Sequence, residues 1–432
     1  MDLTGMKVLL VRPDTGATQK GVEKVGGHHQ PIGLMYIASN LLKNGIDVKI
    51  SDEMIGDNTE DMILSYKPEI LGVGVRTPCY KRVKDIVKFA KDHNVFVVLG
   101  DAHSSALPEH TLKGTGADAV VAGEGEEAMV EICKSKKKGI IRGIVKNIES
   151  LPFPARDLID LDKYAGTVQF GFPMKKGERS TQVITSRGCP NFCTFCSNNI
   201  IFGRTPRYRS VENVVAELKE IKEKYGISTI IFDDDTFTLD QERVKKICEQ
   251  VKPLGFRWSC QLRVTVSKDT LKAMKDAGCE MVAFGVESGS AEMLKRLKKG
   301  ITKDLVVKAF REAREVGLRT KAFFMVGLPE ETEQDFKDSL ELACKINPDY
   351  LWLSCFTALP GCEEYKNVDE SEWEKLMYFK PTNEIIARRY RTFLKKYYLR
   401  LGYMKIFLKR FSFKEAKYMF SLASGFFGNK DL

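Results

Sequence analysis

Strand-length runs of uninterrupted apolar residues alternate with helical patterns along most of this 432-residue chain. A strand that is apolar at successive positions is buried on both faces. The helix after it supplies both the cover and the crossover, so the pattern demands parallel α/β sheets. The alternation comes in two series. Between residues 6 and 145 the predicted strands are Lys7–Val11, Asp47–Ile50, Ile70–Val75, Val95–Gly100 and Ala119–Val121, with a helix over Ile32–Lys43 that Gly45 follows. This is a doubly wound, Rossmann-like pattern, and such sheets bind ligands where the C-terminal strand ends open into loops. The loops Gly26–Gly33, Gly100–His103 and Gly123–Glu126 are the candidates, with turn-forming glycine as the plainer reading of each.

A stretch punctuated by proline, Leu151–Arg156, reads as a linker, after which the alternation resumes. Six strands are predicted at Gln182–Thr185, Thr229–Asp233, Arg257–Leu262, Met281–Val286, Lys321–Val326 and Tyr350–Ser354. Helices at Val211–Tyr225, Asp240–Val251, Thr302–Val316 and Glu333–Ile346 fall between them. Six strand–helix repeats suit a parallel (β/α) barrel, complete or partial, whose chemistry sits at the C-terminal strand ends. The expected division is a first domain over 1–148, a linker over 149–178, the barrel over 179–365 and a helical tail over 366–432.

Composition excludes several classes. With 43% hydrophobic and 29% charged residues the chain is not mainly disordered. No run of eighteen apolar residues is present to span a membrane. Met6–Val11 is a strand and not a leader, so the chain is expected to start here and to be cytoplasmic. Eleven cysteines in that compartment point to metal ligands or buried thiols rather than disulfides. Thirteen Lys/Arg against three acids between Lys380 and Leu432 account for the whole net charge of +10, so the body is neutral and only the tail is basic.

The strongest local signal is Ser186-Arg187-Gly188-Cys189-Pro190-Asn191-Phe192-Cys193-Thr194-Phe195-Cys196, directly after the first barrel strand. Thiolates are soft ligands for zinc or iron–sulfur. Structural zinc takes four ligands. All five histidines precede residue 111, and Cys248, Cys260 and Cys279 form no second close pair. Three thiolates suit a four-iron cluster with one iron open. Three unlinked buried thiols or a zinc knuckle are the other readings.

This loop after the first barrel strand resembles that of radical S-adenosylmethionine (SAM) enzymes, a resemblance that implies a partial (β/α)6 barrel. Further matches follow at the strand ends: Phe232–Phe237, Gln261–Arg263, Phe284–Ser290, Phe324–Thr332 and Leu359–Gly361. The resemblance implies that Cys189, Cys193 and Cys196 hold a 4Fe-4S cluster whose open iron chelates SAM. It implies that Phe195, Asp234, Asp235, Gln261, Arg263, Glu287, Ser288 and Gly327 surround SAM. Glu287 would accept from the ribose or the ammonium, and Arg263 or Ser288 would donate to the carboxylate.

The first domain is similar to the cobalamin-binding domain of the cobalamin-dependent branch, through Gln30–Ala38, Gly100–His103 and Val121–Glu126. That likeness implies cobalamin contacts from Pro31, Gly33, Gly100, His103, Gly123, Glu124 and Gly125. One departure stands out: Met54 occupies the place of the cobalt-ligating histidine of classical cobalamin domains. No loop histidine is therefore expected on cobalt, and loss of cobalamin with retention of the fold is the alternative.

The family reading implies one-electron reductive cleavage of SAM to a 5′-deoxyadenosyl radical, hydrogen abstraction from an unactivated carbon and methyl delivery from cobalamin. A flavodoxin or ferredoxin would supply the electron. Formation of a C–C bond or ring, or oxidation without methyl transfer, is the alternative within enzymes; a cluster- or corrinoid-binding sensor is the alternative outside them. In the tail, Ile385, Ile386, Phe393, Tyr397, Leu401, Met404 and Leu408 recur at helical offsets among basic residues. A helical cap on the barrel and a peripheral membrane contact both fit that pattern. The tail also resembles those of radical enzymes that act on polyisoprenoid or tetrapyrrole lipids, which implies a lipid-like small-molecule substrate. The neutral body and the lack of a recognised RNA module argue against nucleic acid.

Overall fold

The computed structural model describes residues 3–16, 28–165, 168–169, 172–174, 178–366, 368–376 and 381–410. The first sheet has six parallel strands: β1 (Lys7–Arg12), β2 (Asp47–Asp52), β3 (Ile70–Gly74), β4 (Phe96–Gly100), β5 (Ala119–Gly123) and β6 (Gly139–Gly143). Their spatial order is β2-β1-β3-β4-β5-β6. β1 shows why the sheet has two covered faces. Val8 and Leu10 pack into one apolar layer, whereas Leu9 and Val11 pack into the other. The chain leaves β1 in one direction to form β2 and in the other to form β3. The strand order reverses there, and a crevice opens beside β1 at the C-terminal ends.

The second sheet is also parallel: β7 (Ser180–Val183), β8 (Thr229–Phe232), β9 (Arg257–Leu262), β10 (Cys279–Glu287), β11 (Arg319–Val326) and β12 (Tyr350–Cys355). Its strands pair in strict chain order, and among the described residues β12 does not pair back to β7. This is an open, partial barrel. Val183, Phe232, Trp258, Phe284 and Phe324 point outward into one core beneath the helices. The helices start at capping side chains: Ser210, Asp240, Ser267, Thr302 and Thr332 each accept from the backbone N–H three residues on. Such a cap contributes about 1 kcal/mol.

The basic tail divides. Helix Glu384–Tyr398 buries Ala387, Tyr390, Phe393, Leu394 and Tyr397 and completes the sixth strand–helix repeat. Leu401, Met404 and Leu408 in the next helix are exposed. The periodic apolar series of the sequence is thus two faces, one packed on the barrel and one open. Residues beyond Arg410, like Gly26 and Gly27, lie outside the described residues. No described helix is long and apolar enough to cross a membrane.

Candidate functional site

The cysteine loop is fixed at its base. Ser186–Arg187 and Arg207–Tyr208 form a two-stranded antiparallel ribbon, so the loop leaves and re-enters the barrel at one point. Gly188 has φ +92°, and a Cβ there would stand 2.7 Å from the carbonyl of Thr205, so the loop can begin only at glycine. Within the loop, Cys189, Cys193 and Cys196 are partly accessible, unlike most of the other cysteines, which are buried. The Cys196 N–H donates to the Cys193 carbonyl at 3.2 Å. Burial pushes the Cys196 thiol up to about 11, and the neighbouring Cys193 and Cys189 sulfurs add to that. Asn191 Nδ2 lies 3.2 Å from Cys189 Sγ, and Arg263 Nη1 lies 4.0 Å from Cys193 Sγ. No three His, Cys, Asp or Glu groups among the described residues converge on a single metal-ion position. Cys193 and Cys189 stand near enough to act on Cys196, and three thiolates are the donor set of a four-iron cluster with one iron open, whereas structural zinc takes four ligands.

A cavity of about 720 Å³ joins the residues that flank this loop, Arg187, Ser197 and Asn198, to the first domain. From the first sheet it is lined by the C-terminal ends of β1, β3, β4 and β5, the crevice its topology predicts. Pro31, Gly33, Gly100, Gly123, Glu124 and Gly125 all lie on its wall, as does Met54. From the barrel side it is lined by Ser197, Asn198, Asp233, Asp234, Asp235 and Gln261. At Gly123, φ is +104° and a Cβ would meet the Gly143 carbonyl at 2.3 Å, so this part of the wall is bare backbone.

The individual side chains differ in what they have left to offer. Asp234 accepts from the Thr185 N–H and hydroxyl at 2.6 Å each and from Ser186 at 2.7 Å, so it holds the strand that launches the cysteine loop. Glu124 accepts from Arg187 at 2.7 Å, Arg207 at 2.6 Å and the Val145 N–H at 2.9 Å. Ser288 is engaged with Ser339 and the Ser290 N–H. Glu287, at φ +70°, pairs with buried Lys299 at 2.8 Å. Phe195 packs beside Met293, Leu297 and Met325, with Lys299 Nζ 5.4 Å from its ring centre. Gly327, at φ +76°, donates its N–H to Glu331 at 3.0 Å.

Asp235, Gln261 and Arg263 keep free capacity. One Asp235 oxygen accepts from Asn198 at 2.9 Å, and the other is buried without a partner. Burial pushes this carboxyl up to about 6, against the Asn198 hydrogen bond that lowers it. Arg263 donates one Nη to the Lys299 carbonyl and turns the other toward Cys193.

His103 is placed away from the cavity. It is buried against Tyr80 and Trp373, with ring centroids 5.0 and 4.5 Å away, and shares a hydrogen bond of 3.0 Å with Thr77. Burial lowers its pKa to about 4, so it is neutral. Trp373 lies beyond the barrel and folds back onto the first domain, a return that no local pattern announces.

The sequence reading also passed over Arg187. It sits between the last residue of β7 and Gly188, buried, and binds Glu124 and Glu126 of the first domain at 2.7 Å each. A charged residue at a strand end ordinarily reads as solvent-facing. Its only signal is the pair of acids at Glu124 and Glu126, which have no basic neighbour in their own loop.

A switch-point crevice that faces an open parallel barrel, beside a loop carrying three partly accessible cysteines, defines a two-domain α/β protein. Known proteins place it more closely. The radical SAM superfamily profile matches residues 183–343, and the B12 binding domain profile matches residues 19–133. The uncharacterized methyltransferase PH0819 of Pyrococcus horikoshii is 36% identical over 387 residues, which cover 82% of this chain and 82% of that protein. The anaerobic magnesium-protoporphyrin IX monomethyl ester cyclase of Rubrivivax gelatinosus is 26% identical, over 87% of this chain and 73% of that one. Among solved structures, the radical SAM methyltransferase TsrM from Kitasatospora setae, with cobalamin and a 4Fe-4S cluster bound, shares the fold. Its TM-score is 0.65 at 17% identity, over 83% of this chain and 73% of that one. The chain belongs to the radical SAM enzymes that carry a B12-binding domain. The cofactors of that class are a 4Fe-4S cluster, S-adenosylmethionine and cobalamin.

Proposed function

We propose that this enzyme is a cobalamin-dependent radical SAM methyltransferase acting on an unactivated carbon of a small molecule held in the barrel. The observation that carries the reading is one cavity shared by the first domain and the barrel. Its walls combine the bare C-terminal edge of the first sheet with Arg187, Ser197 and Asn198, which flank the cysteine loop, and the Asp233–Asp235 strand end. Cys189, Cys193 and Cys196 would hold the cluster, whose thiolate ligands they supply. Asp235, Gln261 and Arg263 have the unengaged donors and acceptors to orient SAM beside it. Pro31, Gly33, Gly100, Gly123 and Gly125 leave backbone for a flat corrin to approach, with Met54 on the same wall. When bound, the cluster and SAM supply a carbon radical, and cobalamin carries the methyl group. The chain's own task is to exclude water and to hold the reacting carbon close. A small-molecule substrate and a one-electron donor are the partners this chemistry requires, and a flavodoxin or ferredoxin is the proposed donor. We place the enzyme in the cytoplasm, with Leu401, Met404 and Leu408 beside Lys405 as a peripheral contact with anionic lipid.

The test is incubation of reduced, reconstituted enzyme with methyl-labelled SAM and cobalamin. Labelled methylcobalamin together with 5′-deoxyadenosine is expected. Deoxyadenosine with no label on the corrinoid would overturn methyl transfer and favour a cyclase-type outcome.

A further inference from the structure

The barrel interior holds a lysine that the site described above does not use. In β11, Ala322, Phe324 and Val326 pack outward into the core beneath the helices. Strand alternation therefore turns Lys321 and Phe323 toward the barrel axis. In β12, Leu351, Leu353 and Cys355 are likewise outward, and Trp352 faces in. Lys321 Nζ lies 4.4 Å from the centre of the Trp352 ring and 5.0 Å from that of Phe323. Near the N-terminal ends of the strands, Met174, Met281 and Tyr350 pack together and close the floor. Lys321, paired in register with Tyr350, therefore stands level with this cluster, toward the N-terminal end of the barrel.

The lysine is 8% exposed, and no acidic side chain among the described residues pairs with it. Its charge is felt by His29, which lines the cavity at the barrel mouth. Two ring faces compensate a buried ammonium in part, but an unpaired buried charge remains costly. Desolvation lowers its pKa to about 8, so it is still largely protonated at neutral pH. A cation held in this way is complementary to an anion that arrives from outside.

We propose that Lys321 anchors the substrate by a compact oxyanion, a carboxylate or a phosphate, while Trp352 and Phe323 bracket the flat or apolar carbon frame beside it. The proposal rests on the reading that the substrate enters this barrel. It also sets the substrate's polarity. Val326 stands five residues, about 16 Å, further along the strand. With the anion near the floor, the carbon that reacts at the mouth lies remote from the charged group.

The test uses full-length protein and three probes of one shape: 2-naphthoate, 2-naphthyl phosphate and uncharged 2-naphthamide. Binding to the wild type, Lys321→Met and Lys321→Arg is measured by equilibrium dialysis. At least one anion should bind the wild type tenfold or more tightly than the amide, and the better anion identifies the headgroup. Lys321→Met should erase the preference and Lys321→Arg should restore part of it, with unchanged circular dichroism showing that both variants fold. Equal binding of amide and anions to the wild type, or an anion preference that survives in Lys321→Met, would overturn the proposal. Release of 5′-deoxyadenosine by the wild type, followed in parallel, decides the radical reading separately.

Discussion

A lysine enclosed without a counter-ion weakens the fold only while it carries charge, which makes Lys321→Met informative without any substrate. Methionine keeps the length and the apolar stem and removes the ammonium. The pKa of Lys321 falls from 10.5 to about 8 on burial. Each unit corresponds to about 1.4 kcal/mol, so the charged form costs the folded state about 3 kcal/mol. The Trp352 and Phe323 faces reduce this toward about 2 kcal/mol. At pH 7 both folded and unfolded chains are protonated and the whole penalty is present. Between pH 8 and 10.5 the unfolded chain holds a proton that the folded chain has released, so wild-type stability rises with pH relative to the variant. Lys321→Met should therefore be about 2–3 kcal/mol more stable than wild type at pH 7, and the gap should close by pH 10.5. Urea unfolding of both proteins at pH 7, 8, 9 and 10 reads the difference directly and cancels the other titrating groups. A gap that does not change with pH, or a variant less stable at pH 7, would refute the burial argument.

Three further outcomes are expected. Serine at Cys189, Cys193 or Cys196 should abolish the iron–sulfur absorbance after anaerobic reconstitution, whereas Cys133→Ser, at a buried thiol of the first domain, should leave it intact. Arg187→Met strands the Glu126 carboxylate, and breaking a buried pair of this kind costs about 3–5 kcal/mol; adding Glu126→Gln should recover most of that in urea unfolding, and a lack of recovery would deny the coupling. Replacing Leu401 and Leu408 with glutamine should lower sedimentation with anionic phosphatidylglycerol vesicles several-fold, and unchanged sedimentation would remove the proposed lipid contact.

Most of both sheets was legible in the sequence because buried parallel strands are written as continuous apolar runs. Tyr350–Ser354 shows that signal, whereas Asp47-Val48-Lys49-Ile50 is an edge strand that alternates, with Asp47 and Lys49 exposed. β6 escaped because Gly139-Ile140-Ile141-Arg142-Gly143 lies at the sheet edge, where Ile140 and Arg142 are exposed and the apolar run shrinks. The cavity wall was legible wherever glycine marks a strand end. Side-chain commitments were not, because Asp234 and Glu124 reach partners far away in sequence. His103 shows the same limit from the other side. Its loop carries the expected Gly100-Asp101-Ala102 start, but the imidazole lies in an aromatic cluster completed by Trp373, which is 270 residues later.

The ion pairs around Arg187 explain how two domains with separate cores can share one cavity. Arg187 follows β7 and precedes the cysteine loop, so its position fixes where that loop begins. Its guanidinium joins Glu124 and Glu126, the loop between β5 and its helix, while Arg207 on the returning ribbon strand takes the second oxygen of Glu124. Both ends of the cysteine loop are thus tied to the strand end that lines the first-domain side of the cavity. Apolar contact would hold the domains together but would permit sliding. Directional, charge-assisted hydrogen bonds that share one guanidinium between two carboxylates and one carboxylate between two guanidiniums tolerate little displacement. On the proposed function a methyl carrier and a radical source can serve one substrate carbon only if their separation is held, and these pairs, together with the Gln30 hydrogen bonds to Ser180, Thr181 and Gln182, tie the two domains that would carry them.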